Sequence, residues 1–266
     1  QLKPLEEPLG QQLLIRGTKG SRKVLLTDEG LILRKRAEEI LTLVQKAKSE
    51  VQMTDASIAG DVYIGAGETD IIRYFARAAK RMKKSCPDIR YHISSGNAQF
   101  VTEQLDKGLI DFGLMYGPVD RTKYEALTLP IGDRFGVLMR RDDPLAQKEW
   151  ISPEELRDKP LILSAQDRSE GWTVSSQIRQ DVSRLNVAAT YNLIFNASLM
   201  VEEGLGYAVC LDKLINTSGD SQLCFLPLRP EIVITPSIVW KRYQVFSKAS
   251  ERFLQELTSV MDLPQK

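Results

Sequence analysis

The chain has 266 residues, of which 42% are hydrophobic, and its 36 basic residues nearly balance its 35 acidic residues. This length allows two or three units with buried cores, while the balanced charge excludes a strongly positive field over the whole chain. Three cysteines without paired spacing and a single histidine, His92, disfavour a disulfide framework and a zinc site. We therefore expect neither a metal nor a cofactor.

The first residues, Gln1-Leu2-Lys3-Pro4, lack the basic start and apolar run of a signal peptide. No stretch reaches the roughly 18 apolar residues of a membrane span. These features favour a soluble protein of the reducing cytoplasm. Because the chain starts with glutamine and enters directly into what resembles a helix end, we expect it to be a fragment.

Leucines recur at helical intervals before residue 15, although Pro4 and Pro8 predict that this helix is broken. A hairpin is expected next, because a basic segment leads into the β-like run Val24-Leu25-Leu26. Four basic side chains without an intervening acid lie in this hairpin: Arg16, Lys19, Arg22 and Lys23. They suit either a solvated hairpin or a DNA-binding wing that contacts phosphates.

A long helix is predicted from Thr27, which can act as the N-cap ahead of Asp28 and Glu29. Its apolar stripe has separations of 4, 3, 4, 3 and 4 residues and comprises Leu33, Ala37, Ile40, Val44, Ala47 and Val51. This heptad spacing is typical of a coiled-coil seam, although an amphipathic helix packed on its own domain would look similar. The length and the charged flanks favour a partner helix.

After a linker at Ala59-Gly60, strands and helices alternate in two series. Strands are expected at 61–65, 90–94, 110–115, 135–139, 160–164, 188–194, 206–211 and 238–240, and helices at 71–84, 99–107, 172–185, 197–203 and 248–260. Alternation of this kind predicts parallel sheets with right-handed crossovers. The last helix is expected to return to the first lobe, so that the chain crosses between lobes twice.

Small and polar residues follow three predicted strands: Gly67 with Thr69, Ser94 to Asn97, and Ser164 to Gln166. Ligands of open α/β sheets bind outside the carboxyl ends of strands, so these residues suggest a cleft site, although helix capping would explain each one equally well. A dinucleotide fingerprint is disfavoured because Asp70 stands where its third glycine would lie. No catalytic constellation stands out, and we expect no enzyme activity.

These segments resemble the LysR-type transcriptional regulators. The N-terminal resemblance lies in Leu5-Glu6-Glu7, Leu9-Gly10, Leu13, Arg16, Leu26-Thr27 and Gly30. The later resemblance lies in Asp111-Phe112-Gly113-Leu114, Asp143-Pro144-Leu145-Ala146 and the run from Val201 to Ala208. The resemblance covers nearly all of the chain and implies a DNA-binding, self-associating regulator, forming a dimer or tetramer, that responds to a small anionic or polar effector.

The resemblance also implies an architecture. It consists of a partial winged helix-turn-helix (1–26), a linker helix for dimerisation (27–58) and an α/β, two-lobed effector domain like the type 2 periplasmic binding proteins. Lobe I is expected at 60–135 and 237–266, and lobe II at 136–236. The implied effector residues are Gly67, Glu68, Thr69, Ser95, Gly96, Asn97, Met115, Tyr116, Ser164, Gln166, Phe195 and Asn196.

Three departures from the family pattern bear on this interpretation. The base-reading start of the recognition helix is missing, Pro4 and Pro8 occupy positions that are normally helical, and Asp143 stands where histidine is common. The first two put sequence-specific DNA binding by this chain in doubt. Two other classes stay open. A type 2 solute-binding protein would need neither the heptad helix nor the basic wing, and a two-lobed enzyme would need a reactive group in the cleft.

Overall fold

The computed structural model describes residues 3–16, 24–51, 58–165 and 185–261. For residues 3, 16 and 49–51 it describes the backbone only. The chain divides into two units, Gln1–Met53 and Thr54–Lys266. Among the described residues, no helix combines the length and the apolar character that crossing a membrane requires.

The first unit contains helix α1 (Lys3–Leu9), strands β1 (Leu14–Arg16) and β2 (Val24–Leu26), and helix α2 (Asp28–Val51). The two strands form an antiparallel hairpin, as the sequence predicts. The expected break in α1 is wrong, because Pro4 lies in the first turn, where no amide donor is needed, and Pro8 lies beside the last residue. Gly10, with φ +62°, follows the helix end.

Two contacts fix the start of α2. The hydroxyl of Thr27 accepts a hydrogen bond from the Gly30 amide at 3.0 Å, which confirms the predicted N-cap. A Cβ atom on Gly30 would lie 2.2 Å from the carbonyl oxygen of Leu13, so only glycine allows this approach. The side chain of Leu13 is buried at the same place. Leu13, Thr27 and Gly30, which belong to the N-terminal resemblance, therefore serve the packing of this turn.

Lobe I contains a five-stranded sheet in the order β4-β3-β5-β13-β6. Its strands are β3 (Gly60–Ala66), β4 (Ile89–Ser95), β5 (Phe112–Met115), β6 (Tyr124–Thr128) and β13 (Ser237–Lys241), and its helices are α3 (Ile72–Met82), α4 (Ala98–Asp106) and α6 (Lys248–Met261). Strands β4, β3 and β5 are parallel, as predicted, whereas β13 is antiparallel to both of its neighbours. The return of the last helix is confirmed, because Phe253 of α6 packs against Phe75 of α3 and Phe112 of β5.

Lobe II contains a six-stranded sheet in the order β11-β7-β10-β8-β9, with β12 paired to β7. Its strands are β7 (Asp133–Arg140), β8 (Leu161–Ser164), β9 (Val187–Tyr191), β10 (Tyr207–Leu211), β11 (Leu223–Pro227) and β12 (Val233–Ile234), and helix α5 spans Ile194–Glu202. Strands β8, β9 and β10 are parallel, but β7 is antiparallel to β10, so each sheet is mixed. The predicted helix 172–185 falls almost entirely outside the described residues.

Two element boundaries differ from the sequence prediction. Strand β9 ends at Tyr191, and residue 194, expected as its last residue, instead begins α5 three residues before the expected helix start. Ile194 and Phe195 favour strands by their side-chain shape, which explains the wrong boundary.

Candidate functional site

The turn after β3 leads directly into α3, and Thr69 fixes its shape. The Thr69 hydroxyl accepts a hydrogen bond from the Ile71 amide at 3.0 Å and donates one to Asp133 Oδ2 at 2.5 Å. Its side chain is only 5% exposed. Thr69 therefore holds the turn that precedes α3, whose N-cap residue Ile71 has no side-chain cap, and its hydroxyl hydrogen is already directed to a carboxylate.

Asp133 is the first residue of β7 and joins two turns of lobe I. Its Oδ2 atom accepts hydrogen bonds from Thr69 and from the hydroxyl of Tyr116, which follows β5. Burial raises the pKa of the Asp133 carboxyl above its ordinary value, although the two hydrogen bonds oppose the rise. Burial beside this carboxylate likewise raises the pKa of the Tyr116 hydroxyl. The three side chains form a buried acidic network between the lobes.

The turn after β4 lies against the turn after β3. The Gly96 amide donates a hydrogen bond to the carbonyl of Ala66 at 3.0 Å. A Cβ atom on Gly96 would lie 2.2 Å from the ring of Phe100, so this position needs glycine. The Asn97 side-chain oxygen caps α4 by accepting from the Phe100 amide at 2.9 Å. Asn97 is half-buried, and its amide nitrogen is a donor that the capping contact does not use.

Glu68 connects this cluster of turns to lobe II. Its Oε2 atom accepts a hydrogen bond from the backbone amide of Ile194, the first residue of α5, at 2.5 Å. The predicted residues Phe195 and Asn196 follow immediately on α5, and both side chains are exposed. The structure therefore brings the turns after β3, β4 and β5 and the start of α5 to one region between the sheets.

The remaining predicted effector residues lie in different surroundings. Met115 packs against the buried cluster that contains Val101 and Leu105, on the side of β5 opposite Tyr116. Ser95 is exposed at the end of β4, and Ser164 is half-buried at the end of β8. Gln166 lies outside the described residues. A ligand contact by any of these residues stays a prediction.

The predicted DNA-binding residues lie mostly outside the described part of the chain. Arg16 ends β1, but its side chain is not described, and Lys19, Arg22 and Lys23 belong to the segment between the two strands. Along the predicted seam of α2, Leu33 and Ala37 are half-buried, whereas Ile40, Val44 and Ala47 are exposed. The side chain of Val51 is not described. Phosphate contacts and a partner helix therefore stay predictions.

Sequence reasoning missed Asp133 entirely. It stands between Gly132 and Arg134, in a context that resembles a solvated turn before a strand, and no motif distinguishes it. Only the fold reveals its role, because its partners Thr69 and Tyr116 lie 64 and 17 residues earlier in the chain. No local pattern could have indicated such a network.

Two of the motif aspartates have structural partners. Asp111 accepts hydrogen bonds from the Tyr63 amide at 2.8 Å and from the Ser250 hydroxyl at 3.2 Å, so it ties β3 to α6. Asp143 stands where the family pattern of the sequence analysis commonly has histidine. It caps the short 3-10 helix Pro144–Gln147 by accepting a hydrogen bond from the Leu145 amide. Its second oxygen accepts from Tyr207 at 2.6 Å. These aspartates hold the fold on which the cleft depends.

Comparisons with known proteins agree with this architecture. The uncharacterised HTH-type transcriptional regulator YvbU of Bacillus subtilis is 26% identical over 231 residues, which cover 87% of this chain and 74% of that protein. The uncharacterised HTH-type transcriptional regulator YfeR of Shigella flexneri is 23% identical over 252 residues, which cover 94% of this chain and 80% of that protein.

Solved structures show the same fold. HinK, a LysR family transcriptional regulator from Pseudomonas aeruginosa, matches with a TM-score of 0.60 and 21% identity over 98% of this chain and 86% of its own. Full-length CbnR in complex with its target DNA matches with a TM-score of 0.72 and 15% identity over 98% of this chain and 88% of its own. Residues 55–262 match the family model of the LysR substrate-binding domain. The chain therefore belongs to the LysR family of transcriptional regulators.

Proposed function

We propose that this regulator is controlled by a small polar or anionic effector that binds between the two lobes, at the turns after β3, β4 and β5 and at the start of α5. The observation that carries the proposal is the hydrogen bond from the Ile194 amide to Glu68, because it joins a predicted cleft residue of lobe I to the residue that precedes the predicted Phe195 and Asn196 of lobe II. A ligand of a few heavy atoms in this region touches both lobes. Its differential affinity for two lobe arrangements can then shift their populations.

The rest of the proposal concerns partners. The protein containing this chain binds DNA, for which the basic hairpin supplies phosphate contacts, and it self-associates along α2. It acts in the cytoplasm, where a bacterial regulator meets its DNA, and it leaves its effector chemically unchanged. CbnR, whose structure was solved in complex with its target DNA, shares this fold and supports the DNA-binding part.

The effector experiment uses Asn97→Ser as its main variant. Serine keeps an oxygen that can cap α4, so the helix start is preserved while the side-chain amide donor is removed. A library of small carboxylates and polar metabolites is screened for thermal stabilisation of the wild-type chain, and hits are measured by calorimetry. We expect Asn97→Ser to weaken binding by about 0.5 to 1.5 kcal/mol, and somewhat more if the ligand atom is charged.

The matched control is Gln99→Ser, an exposed position on the same helix, which should leave the affinity unchanged. Thr69→Ala is the weaker probe, because Thr69 also bonds Ile71 and Asp133 and its loss perturbs the fold. Recovery of the ligand unchanged after incubation distinguishes a regulator from an enzyme. An effector whose affinity is equal in wild type and Asn97→Ser would move the site out of this cleft.

A further inference from the structure

The amino terminus of α5 lacks a cap from its own sequence. Its N-cap residue is Leu193, an apolar side chain that makes no capping hydrogen bond. The neighbouring Asn192 side chain accepts from the Leu193 amide instead of from a helix amide. By contrast, the Asn97 side chain caps the start of α4 by accepting from the Phe100 amide. The first amides of a helix have no partner within the helix and carry positive dipole character, so α5 needs an acceptor from elsewhere.

Glu68 supplies that acceptor from the other lobe. Its carboxylate lies 2.5 Å from the amide of Ile194, which follows it by 126 residues, and Ile194 is only 2% exposed. A carboxylate is therefore already seated on this helix terminus, in the region where the sequence and the fold converge on an effector site. The glutamate is a chain-borne carboxylate in the position that the carboxylate of a small ligand would take.

We propose that Glu68 is a built-in competitor for anionic effectors: its carboxylate occupies the α5 terminus in the chain alone, and the carboxylate of an effector displaces it. This inference rests on the proposed cleft function and names its ligand class as small carboxylates. A second carboxylate at this terminus repels Glu68 and competes with it for the Ile194 amide, so in this proposal effector binding displaces Glu68. Its departure breaks a hydrogen bond between the lobes, which couples ligand binding to their arrangement.

The test uses acetate as a carboxylate probe and the whole chain labelled with 15N-isoleucine. The Ile194 amide is followed by NMR in wild type, Glu68→Ala and a control, Glu154→Ala, which replaces an exposed glutamate. Sodium chloride at equal ionic strength corrects for salt. In Glu68→Ala, we expect the Ile194 amide to exchange its hydrogen at least about tenfold faster, the change that corresponds to the loss of a charge-assisted hydrogen bond. Glu154→Ala should match wild type.

Acetate should then replace the missing Glu68 carboxylate as the hydrogen-bond partner of the Ile194 amide in the Glu68→Ala variant. We expect acetate to move the Ile194 resonance of Glu68→Ala toward its wild-type position, with an apparent Kd at least about tenfold lower than in wild type. Glu68→Gln keeps the shape of the side chain without its charge, so its amide exchange and acetate affinity should lie between those of wild type and Glu68→Ala. This variant replaces Glu68→Ala in the experiment if the alanine variant does not fold. An Ile194 amide that is unchanged in these variants, or that responds to acetate equally in all proteins, overturns the proposal.

The two proposals fail separately. If acetate does not restore Ile194 while an identified effector still loses affinity in Asn97→Ser, the competitor role of Glu68 is wrong and the cleft function stands. Acetate can instead return the Ile194 resonance to its wild-type position while Asn97→Ser leaves the effector affinity unchanged. In that case the cleft assignment is wrong and the α5 terminus remains a carboxylate site.

Discussion

Asp133 is a carboxylate held at 7% exposure by two hydroxyl donors, Thr69 and Tyr116, from separate turns of lobe I. Because burial raises its pKa above the unfolded value, the folded state binds this proton more tightly than the unfolded state does. Between the unfolded and the folded pKa, the contribution of Asp133 to stability therefore falls as the pH rises. Above the folded pKa, the full cost of the buried charge is present.

The Asp133→Asn variant has no carboxyl group to titrate at this position. The effect of the Asp133 titration therefore appears as a pH-dependent difference in stability between the variant and wild type. We expect the Tm of the variant minus that of wild type to become more positive as the pH rises from about 4 toward 7. Asp142→Asn is the control, because hydrogen bonding from Arg140 lowers the pKa of that exposed carboxyl and predicts a small slope of opposite sign. Thermal unfolding followed by circular dichroism across this range measures both. A pH-independent difference for Asp133→Asn would contradict the role assigned to burial.

Among single residues, those with local partners were predictable and those with distant partners were not. Thr27 as the cap of α2 follows from its position before Asp28 and Glu29, and the hydrogen bond from Gly30 confirms it. Asp133 and the Glu68 contact depend on side chains brought together by the fold over 64 and 126 residues. No pattern within a helix or a strand encodes such contacts.

At the scale of elements, α2 exposes apolar side chains that a lone helix would not retain. Ile40 and Val44, both on the predicted seam, are 59% and 41% exposed, and Leu41 beside them is 62% exposed. The flanks carry ion pairs within the helix, such as Arg34 with Glu38 at 2.9 Å. Exposed apolar surface bordered by charge is typical of an interface, and we propose that its partner is the α2 of a second copy.

Replacing Ile40 with aspartate tests this seam. A charge buried in an apolar seam costs its desolvation in addition to the apolar burial that isoleucine supplied, so we expect Ile40→Asp to weaken self-association by about 2 kcal/mol or more. Sedimentation or light scattering over a concentration series measures the shift toward monomer. Gln45→Asp, at an exposed position off the stripe, is the control and should assemble like wild type. A monomeric wild type, or equal masses for wild type and Ile40→Asp, would show that the seam is not used.

Among the described strands, sequence reasoning missed β6, β11 and the two-residue strand β12. β6 and β11 are the outer strands of their sheets, and most of their residues are half-buried. The sequence of β6 shows neither a continuous apolar run nor a clean alternation, whereas β11 is a short apolar run that periodicity alone cannot assign to a strand. The inner strands β3 and β5 have mostly buried residues and were predicted to within two residues at their ends. The outer strands β4 and β9 are mostly exposed or half-buried and were nevertheless predicted, so burial alone does not decide which strands the sequence reveals.

At the scale of the whole effector domain, the chain crosses between sheets twice, and the crossings lie side by side. The Leu129 amide bonds the carbonyl of Pro236 at 3.0 Å, and a Cβ atom on Gly132 would lie 2.8 Å from the carbonyl oxygen of Ile234. Two adjacent connections of this kind are where a hinge between the lobes would lie, and we propose that the lobes turn about them. Asp133 and Glu68 each contact the opposite lobe, so a ligand at the proposed cleft site is expected to act on the angle between the lobes.

The last prediction concerns DNA binding. The net charge of the chain is only +1, so any attraction for DNA must come from a local cluster of basic residues. We expect this chain to bind duplex DNA weakly and without sequence preference, because phosphate contacts position a protein but carry no base information. Exchanging Arg16, Lys19, Arg22 and Lys23 for glutamine should reduce the salt dependence of binding by about 0.9 in log–log slope for each phosphate that is no longer neutralised. The control exchanges Lys80, Arg81, Lys83 and Lys84, four exposed cations at the end of α3, and so makes the same change in charge. Fluorescence anisotropy over a salt series compares the two variants. Equal slopes would assign the affinity to total charge rather than to the hairpin, and a tight, sequence-selective footprint would show that this chain reads bases by itself.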